Sequence, residues 1–255
     1  MQHEYALMTC NMWTDTNSFG EKKFANRSRS VIAMIRKYRP DIIGVQELTE
    51  TMVPFLDELN DEYKMVGEPR HSHFGGNESC AILFRKDRFD LVNNETLWLS
   101  NTPVVKGSKV LGAQFPRIVT IAHLKDRLNG EAFTFANTHL EFASDIIRRK
   151  QVRILLRLLA QRLFGSFMFL SGDFNCTHDS DVLKPFDEED FKDGISDDIG
   201  TTLRGKIVSM IARYKPIDHI FIPKRFKVLH TIKVEDEPDG LAPSDHYPVI
   251  IYISR

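Results

Sequence analysis

The sequence predicts an α/β fold in which mixed β-sheets carry helices on their outer faces, and three observations support that reading. Strand and helix patterns alternate along most of the chain, and the predicted strands outnumber the helices. One strand pair is an antiparallel hairpin, which breaks the rhythm of about eight βα units that a parallel barrel needs. At 255 residues and 29.4 kDa the chain lies within the range of large single α/β domains. No repeat, low-complexity tract or Gly/Ser linker divides it, so residues 1–255 are read as one domain.

From Asn26 to Tyr38 the apolar positions Val31, Ile32, Ile35 and Tyr38 follow helical spacing, and Pro40 forbids continuation. Asp41 to Glu47 is a short apolar run closed by polar residues, as expected of a strand buried on both faces, which leaves Glu47 at a strand's C-terminal end. Thr49 is placed to cap a helix running through Leu59. Ser79 to Phe84 and Leu91 to Leu99 read as strands, the second broken at Asn94. Arg117 to Lys125 and Glu131 to His139 flank an Asn129-Gly130 turn, the clearest hairpin signal in the chain. Ser144 to Phe164 forms an amphipathic helix with Arg149, Arg153 and Arg157 on one face. Asp145 is its only carboxylate, so that face reads first as solvated and, alternatively, as a stripe for a phosphate backbone. Phe167 to Asp173, Ile217 to Ile222 and His246 to Ile253 are the later strands.

Composition narrows the function classes. Hydrophobic residues at 42% and charged residues at 27% exclude a fibrous or disordered chain. Lys+Arg of 34 against Asp+Glu of 35 give a net charge of -1, which argues against binding nucleic acid through bulk electrostatics. The segment Met1 to Met8 lacks the pattern of a secretory leader, and no apolar run approaches the roughly 18–20 residues of a membrane span. Cys10, Cys80 and Cys176 are odd in number and lack Cys-x-x-Cys spacing, so neither a disulfide framework nor a zinc site is expected. Together these features point to a cytoplasmic protein.

Six polar clusters stand at predicted strand ends, where α/β proteins gather their chemistry. They are Cys10-Asn11-Met12-Trp13, Gln46-Glu47, Asn137-Thr138-His139-Leu140, Gly172-Asp173-Phe174-Asn175, Pro216-Ile217-Asp218-His219 and Ser244-Asp245-His246-Tyr247-Pro248. Jointly they supply hard oxygen ligands that suit Mg2+ or Mn2+, with two histidines and a further aspartate that fit an acid-base pair. No glycine-rich nucleotide loop and no Gly-x-Ser-x-Gly elbow occurs.

In this order the clusters, with Pro40-Asp41-Ile42-Ile43-Gly44-Val45 leading into Gln46-Glu47, resemble the endonuclease/exonuclease/phosphatase family of deoxyribonuclease I-like, magnesium-dependent phosphohydrolases. The resemblance covers nearly the whole chain. It implies a four-layer α/β/β/α sandwich, two mixed sheets face to face with helices on both outer faces. It implies that Glu47 and Asn11 ligate Mg2+ with Asp245 nearby, and that Asp173 and Asn175 orient the attacking water and the phosphoryl oxygens. His246 with Asp218 matches the family's His-Asp pair, and His139 its second phosphate-contacting histidine. Asn137 and Arg117 are carried over as substrate-binding residues. The expected activity is metal-dependent hydrolysis of phosphodiester or phosphomonoester bonds, with a nuclease acting on DNA or RNA as the alternative. A non-catalytic phosphate or nucleic-acid binding module is the second alternative, disfavoured because all eight catalytic and metal positions are filled. The implied partner is a phosphate-ester substrate, with nucleic acid left open and no obligate protein partner evident.

Overall fold

The computed structural model describes residues 4–16, 19–72, 76–205 and 214–255. Residues 1–3, on which part of the leader reading rests, lie outside that set. Twelve strands form two six-stranded sheets among the described residues. Strand β1 (Tyr5–Asn11) leads through helix α1 (Phe24–Tyr38) to β2 (Ile42–Thr49), which pairs with β1 in parallel. Helix α1 stops where Arg39 turns left-handed at φ 43° and donates its N–H to the Ile35 carbonyl, immediately before Pro40. Strand β3 (Tyr63–Val66) and strand β4 (Glu78–Arg85) extend this sheet on one side of β2.

Strand β5 (Phe89–Trp98), strand β6 (Ile118–Asp126) and strand β7 (Ala132–His139) form an antiparallel meander that opens the second sheet, with the Asn-Gly turn joining β6 to β7. Helix α2 (Asp145–Ala160) then carries the chain to strand β8 (Met168–Asp173), parallel to β7. The short helix α3 (Lys184–Asp187), strand β9 (Phe191–Asp193) and strand β10 (Asp218–Pro223) complete this sheet. The chain finally returns to the first sheet with strand β11 (Lys227–Lys233) and strand β12 (Val249–Ser254). The strand orders are β11-β12-β1-β2-β4-β3 and β5-β6-β7-β8-β10-β9. Each sheet thus has one parallel pair at its centre, bridged by a long helix, because only a crossover connection can join parallel strands.

Alternation along these strands creates the layers. Tyr5, Leu7 and Ile42 face Phe133, Phe135 and Phe169 between the sheets, while Met8 and Ile43 point outward onto Val31 and Ile35 of α1. On the far side Val119, Ile121 and Leu170 meet Leu155 and Leu158 of α2. The result is the expected α/β/β/α sandwich.

The two sheets are joined near the site by a polar layer. Asn137 donates to the carbonyls of Val45 and Ala81, each at 2.8 Å, and its Oδ1 accepts from Gln46 Nε2 at 2.7 Å and Ser171 Oγ at 3.1 Å. Gly44 makes this contact sterically feasible, since a Cβ there would lie 1.9 Å from Ser171 Oγ. Four hydrogen bonds within the sandwich exhaust the Asn137 amide, so the expectation that Asn137 touches substrate is corrected: it fastens one sheet to the other.

Several elements depart from expectation. The helix expected from Thr49 to Leu59 is a 3₁₀ segment, Val53–Leu59, because Pro54 sits at its start and cannot donate to the preceding turn. Asn94 does not break β5. It pairs with Ala122 along an edge strand whose outer face tolerates polar residues, and the irregularity falls instead between Leu91 and Asn93. Three of the four edge strands, β3, β9 and β11, were not expected. Arg149 has a partner outside its helix, Asp181 at 3.8 Å, and it lies with Arg153 and Arg157 on the exposed face of α2.

Candidate active site

Asn11 ends β1 and Glu47 lies near the end of β2, and these parallel strands deliver both to the same edge. The ladder slips between Val45 and Leu48 against Ala81 and Ser79, so β2 carries one extra residue there. Glu47 absorbs the bulge at φ 61°, a left-handed conformation that costs a non-glycine residue about 1–2 kcal/mol. The kink aims its carboxylate at the Thr14 N–H, 2.8 Å away, and at Asn11 Nδ2, 3.1 Å away. Trp13 at φ 56° and Asn175 at φ 52° repeat this strain just beyond two neighbouring strand ends. Backbone strain therefore gathers where the sequence placed its polar clusters.

Asp173 is the hub. Its Oδ2 accepts from Asn11 Nδ2 at 3.0 Å and lies 3.6 Å from His139 Nε2 and 3.8 Å from His246 Nε2. Its Oδ1 accepts from the Asn175 N–H at 2.9 Å, and Asn175 Nδ2 is anchored to the Leu140 carbonyl at 3.1 Å. His246 Nδ1 donates to Asp218 Oδ2 at 2.8 Å, which leaves Nε2 directed at Asp173.

The electrostatics divide these groups into roles. Burial, then the Asp218 charge, pushes the Asp173 carboxyl up to about 7 against the opposing pull of His246. Burial alone would lower His246, yet Asp218, Asp173 and Asp245 outweigh it and hold the ring well above the ordinary histidine range. His139 goes the other way, well below it, through burial and the cationic Arg117 and Arg70. One imidazole is thus charged and the other neutral around a single carboxylate oxygen.

Of the residues expected to hold a metal, Glu47 and Asn11 are in direct contact. Asp245 is close enough for the Glu47 charge to reinforce the effect of burial in raising its carboxyl. Asp173, Asp218 and His246 place one ligand atom each within 4.8 Å of one another, and Asp218 Oδ1 is buried without a hydrogen-bond partner. Crowded carboxylates that raise each other's proton affinity, accompanied by an amide and by no thiol, fit a hard divalent cation.

Sequence reasoning missed Arg27. Fully buried, it donates to the carbonyls of Met12 and Pro243, at 2.5 and 2.7 Å, and to that of Trp13, and so clips the loop after Asn11 to the loop before Asp245. Only its helical position was visible in the sequence, where it reads as one more surface arginine. His219, fully buried, sets Nδ1 2.5 Å from Asp193 Oδ2 and Nε2 2.9 Å from the Cys176 carbonyl, behind Asn175. Arg117 comes within electrostatic reach of His139, whereas Asn137 lies in the core.

Opposed imidazoles about a carboxylate, beside hard oxygen donors, define a hydrolase of phosphoric esters. Residues 8–246 match the model of the Endonuclease/Exonuclease/phosphatase family, and the chain belongs to that family. An uncharacterized protein of Acanthamoeba polyphaga mimivirus is 27% identical over 252 residues, covering 90% of this chain and 91% of its own length. Nocturnin from Xenopus laevis is 28% identical over 176 residues, which are 64% of this chain but 43% of nocturnin, so the match spans less than half of that relative. Among solved structures, an endonuclease/exonuclease/phosphatase family protein from Bacteroides thetaiotaomicron superposes with a TM-score of 0.84 at 23% identity, covering 99% of this chain and 98% of that one.

Proposed function

We propose that the chain hydrolyses small phosphomonoesters or phosphodiesters by direct attack of water at phosphorus, assisted by Mg2+ or Mn2+. The supporting observation is the placement of a charged His246 and a neutral His139 within 3.8 Å and 3.6 Å of one Asp173 oxygen. Asp173, steadied by the Asn175 N–H, accepts the proton of the attacking water as the oxygen closes on phosphorus. His246, kept protonated by Asp218, donates Nε2–H toward the phosphoryl oxygens, where negative charge grows in the pentavalent transition state. His139 and Asn175 orient the same oxygens. A divalent cation held by Glu47, Asn11 and Asp245 would supply further positive charge to the phosphoryl group.

A nuclease is the second reading, favoured by the arginine stripe alone. That stripe lies on the solvent face of α2, and Arg149 already meets Asp181, which supports the small-substrate reading. No helix among the described residues is long and apolar enough to cross a membrane, and three buried free thiols, each pushed up to about 12 by burial, fit a reducing cytoplasmic setting. The experiment is a panel of phosphomonoesters, cyclic and linear phosphodiesters, phospholipids and single-stranded DNA and RNA, assayed with Mg2+. Turnover that vanishes on chelation and falls at least about 10²-fold in His246→Ala is expected. Hydrolysis at full rate after chelation, or an inert wild-type protein, refutes the reading.

A further inference from the structure

Asn175 holds a left-handed φ of 52°, and from that conformation its N–H reaches Asp173 Oδ1 at 2.9 Å. The residues on either side of it both meet one side chain, His219 of β10. The Phe174 ring stands edge-on to the His219 imidazole with centroids 5.6 Å apart, and the Cys176 carbonyl accepts from His219 Nε2 at 2.9 Å. A carbonyl can only accept, so Nε2 carries a hydrogen. At the other side of the ring Nδ1 lies 2.5 Å from Asp193 Oδ2, a contact that needs one proton between the two atoms. Burial alone would raise the Asp193 carboxyl, yet the His219 charge and the hydrogen bonds from His178, His219 and the Ile195 N–H outweigh it and hold the group below the ordinary aspartate range. The shared proton therefore belongs to the ring, and both nitrogens donate.

Asp193 closes the bracket. It ends the edge strand β9, its side chain is 3% exposed, and the same Oδ2 lies 3.4 Å from Nδ1 of His178. His178 follows Cys176 by two residues, so the loop after Asn175 is tied to one carboxylate twice, through the His219 ring and directly. Its Oδ1 accepts from the Ile195 N–H at 2.9 Å, which fixes the carboxylate in turn. A buried ion pair adds little net stability, because desolvation offsets the attraction, but it favours one arrangement over its alternatives. The arrangement here is the backbone around Asn175.

We propose that His219 and Asp193 are positioning residues of the hydrolase: the pair keeps Asn175 left-handed and so keeps the Asn175 N–H on Asp173. Both act through Asn175, from behind the site. This inference rests on the phosphohydrolase reading and extends the machinery to the edge of the second sheet.

The test begins with Asp193→Asn, which preserves volume and removes the counter-charge. On the ester that the wild type hydrolyses best with Mg2+, kcat should fall about tenfold while KM stays within about twofold. His219→Leu should lower kcat at least as far, and His219→Gln, which retains an N–H for the Cys176 carbonyl, should recover part of the loss. Hydrogen exchange in chelated protein supplies a readout free of catalysis. In Asp193→Asn the protection of the Asn175 amide should drop about tenfold or more while the amides of β8 keep theirs. A drop shared equally by β8 would mean a general loosening and overturns the proposal, as does unchanged protection of Asn175 or a loss that falls on KM alone. Selective loss at Asn175 in a protein that cleaves no ester upholds the tether and refutes the phosphohydrolase reading instead. If the variants do not fold, nitrogen-15 NMR of the wild type decides: a proton on His219 Nε2 at pH 8 supports the proposal, and a bare Nε2 overturns it.

Discussion

Asp173 holds its charge at a cost. Its carboxyl ordinarily titrates at 3.8 and in the fold is pushed up to about 7, so the folded state prefers it protonated. The stabilisation from that protonated form is complete below 3.8 and is lost as pH rises through about 7. Asp173→Asn should therefore melt at a higher temperature than the wild type in chelated protein at pH 8, and the gap should close as pH falls toward 4, measured by calorimetry. The same variant should lower kcat by roughly 10²–10⁴ on whatever ester is cleaved. A variant that melts lower at pH 8, or keeps most of its turnover, removes Asp173 from the hub. Glu47 differs in kind, since its side chain stands at the mouth and contributes little to the core. Glu47→Gln should weaken Mn2+ binding about tenfold or more by titration calorimetry, with stability changed by less than about 0.5 kcal/mol.

At the scale of elements, the polar layer under the site can be probed by volume. Gly44→Ala places a methyl group 1.9 Å from Ser171 Oγ, so it should destabilise by at least about 1–3 kcal/mol in urea. Adding Ser171→Ala removes the clashing atom and should recover part of that loss, and strict additivity of the two would mean that they do not meet. This layer also shows where sequence reading stops. The β6–β7 hairpin, helix α2 and the buried strands β2 and β8 were legible because turn chemistry and hydrophobic period agree with tertiary context. Strands β3, β9 and β11 were not, since short edge strands need bury only one face and their residues carry no strong period. The motif residues were readable by their order along the chain. The bulge that turns Glu47 outward was not, because a glutamate at φ 61° has no local signature. Asn137 was misassigned for a related reason: a polar residue two positions before His139 reads as part of the same motif and shares its inter-sheet face, but it lies one pair deeper, bonded to Val45, Ala81 and Ser171, whereas His139 ends the strand.

For the whole molecule, a net charge of -1 and an arginine row turned to solvent predict weak attraction to polyanions. Affinity for a short oligonucleotide should show a log-log salt slope shallower than about -1, unchanged by Arg149→Ala with Arg153→Ala. A slope near about -3 that the double variant flattens would make the stripe a nucleic-acid surface. The strand order carries a separate consequence for how the protein comes into being. Strand β1 is bordered by β2 on one side and by β12 on the other, so the centre of one sheet joins parts of the chain far apart in sequence. During synthesis the free edge of β1 waits, apolar on both faces, until β12 has emerged, and Asp245 and His246 arrive just ahead of the strand that closes it. A chain interrupted before β12 therefore leaves β1, buried on both faces in the finished sandwich, with an unpaired edge open to association.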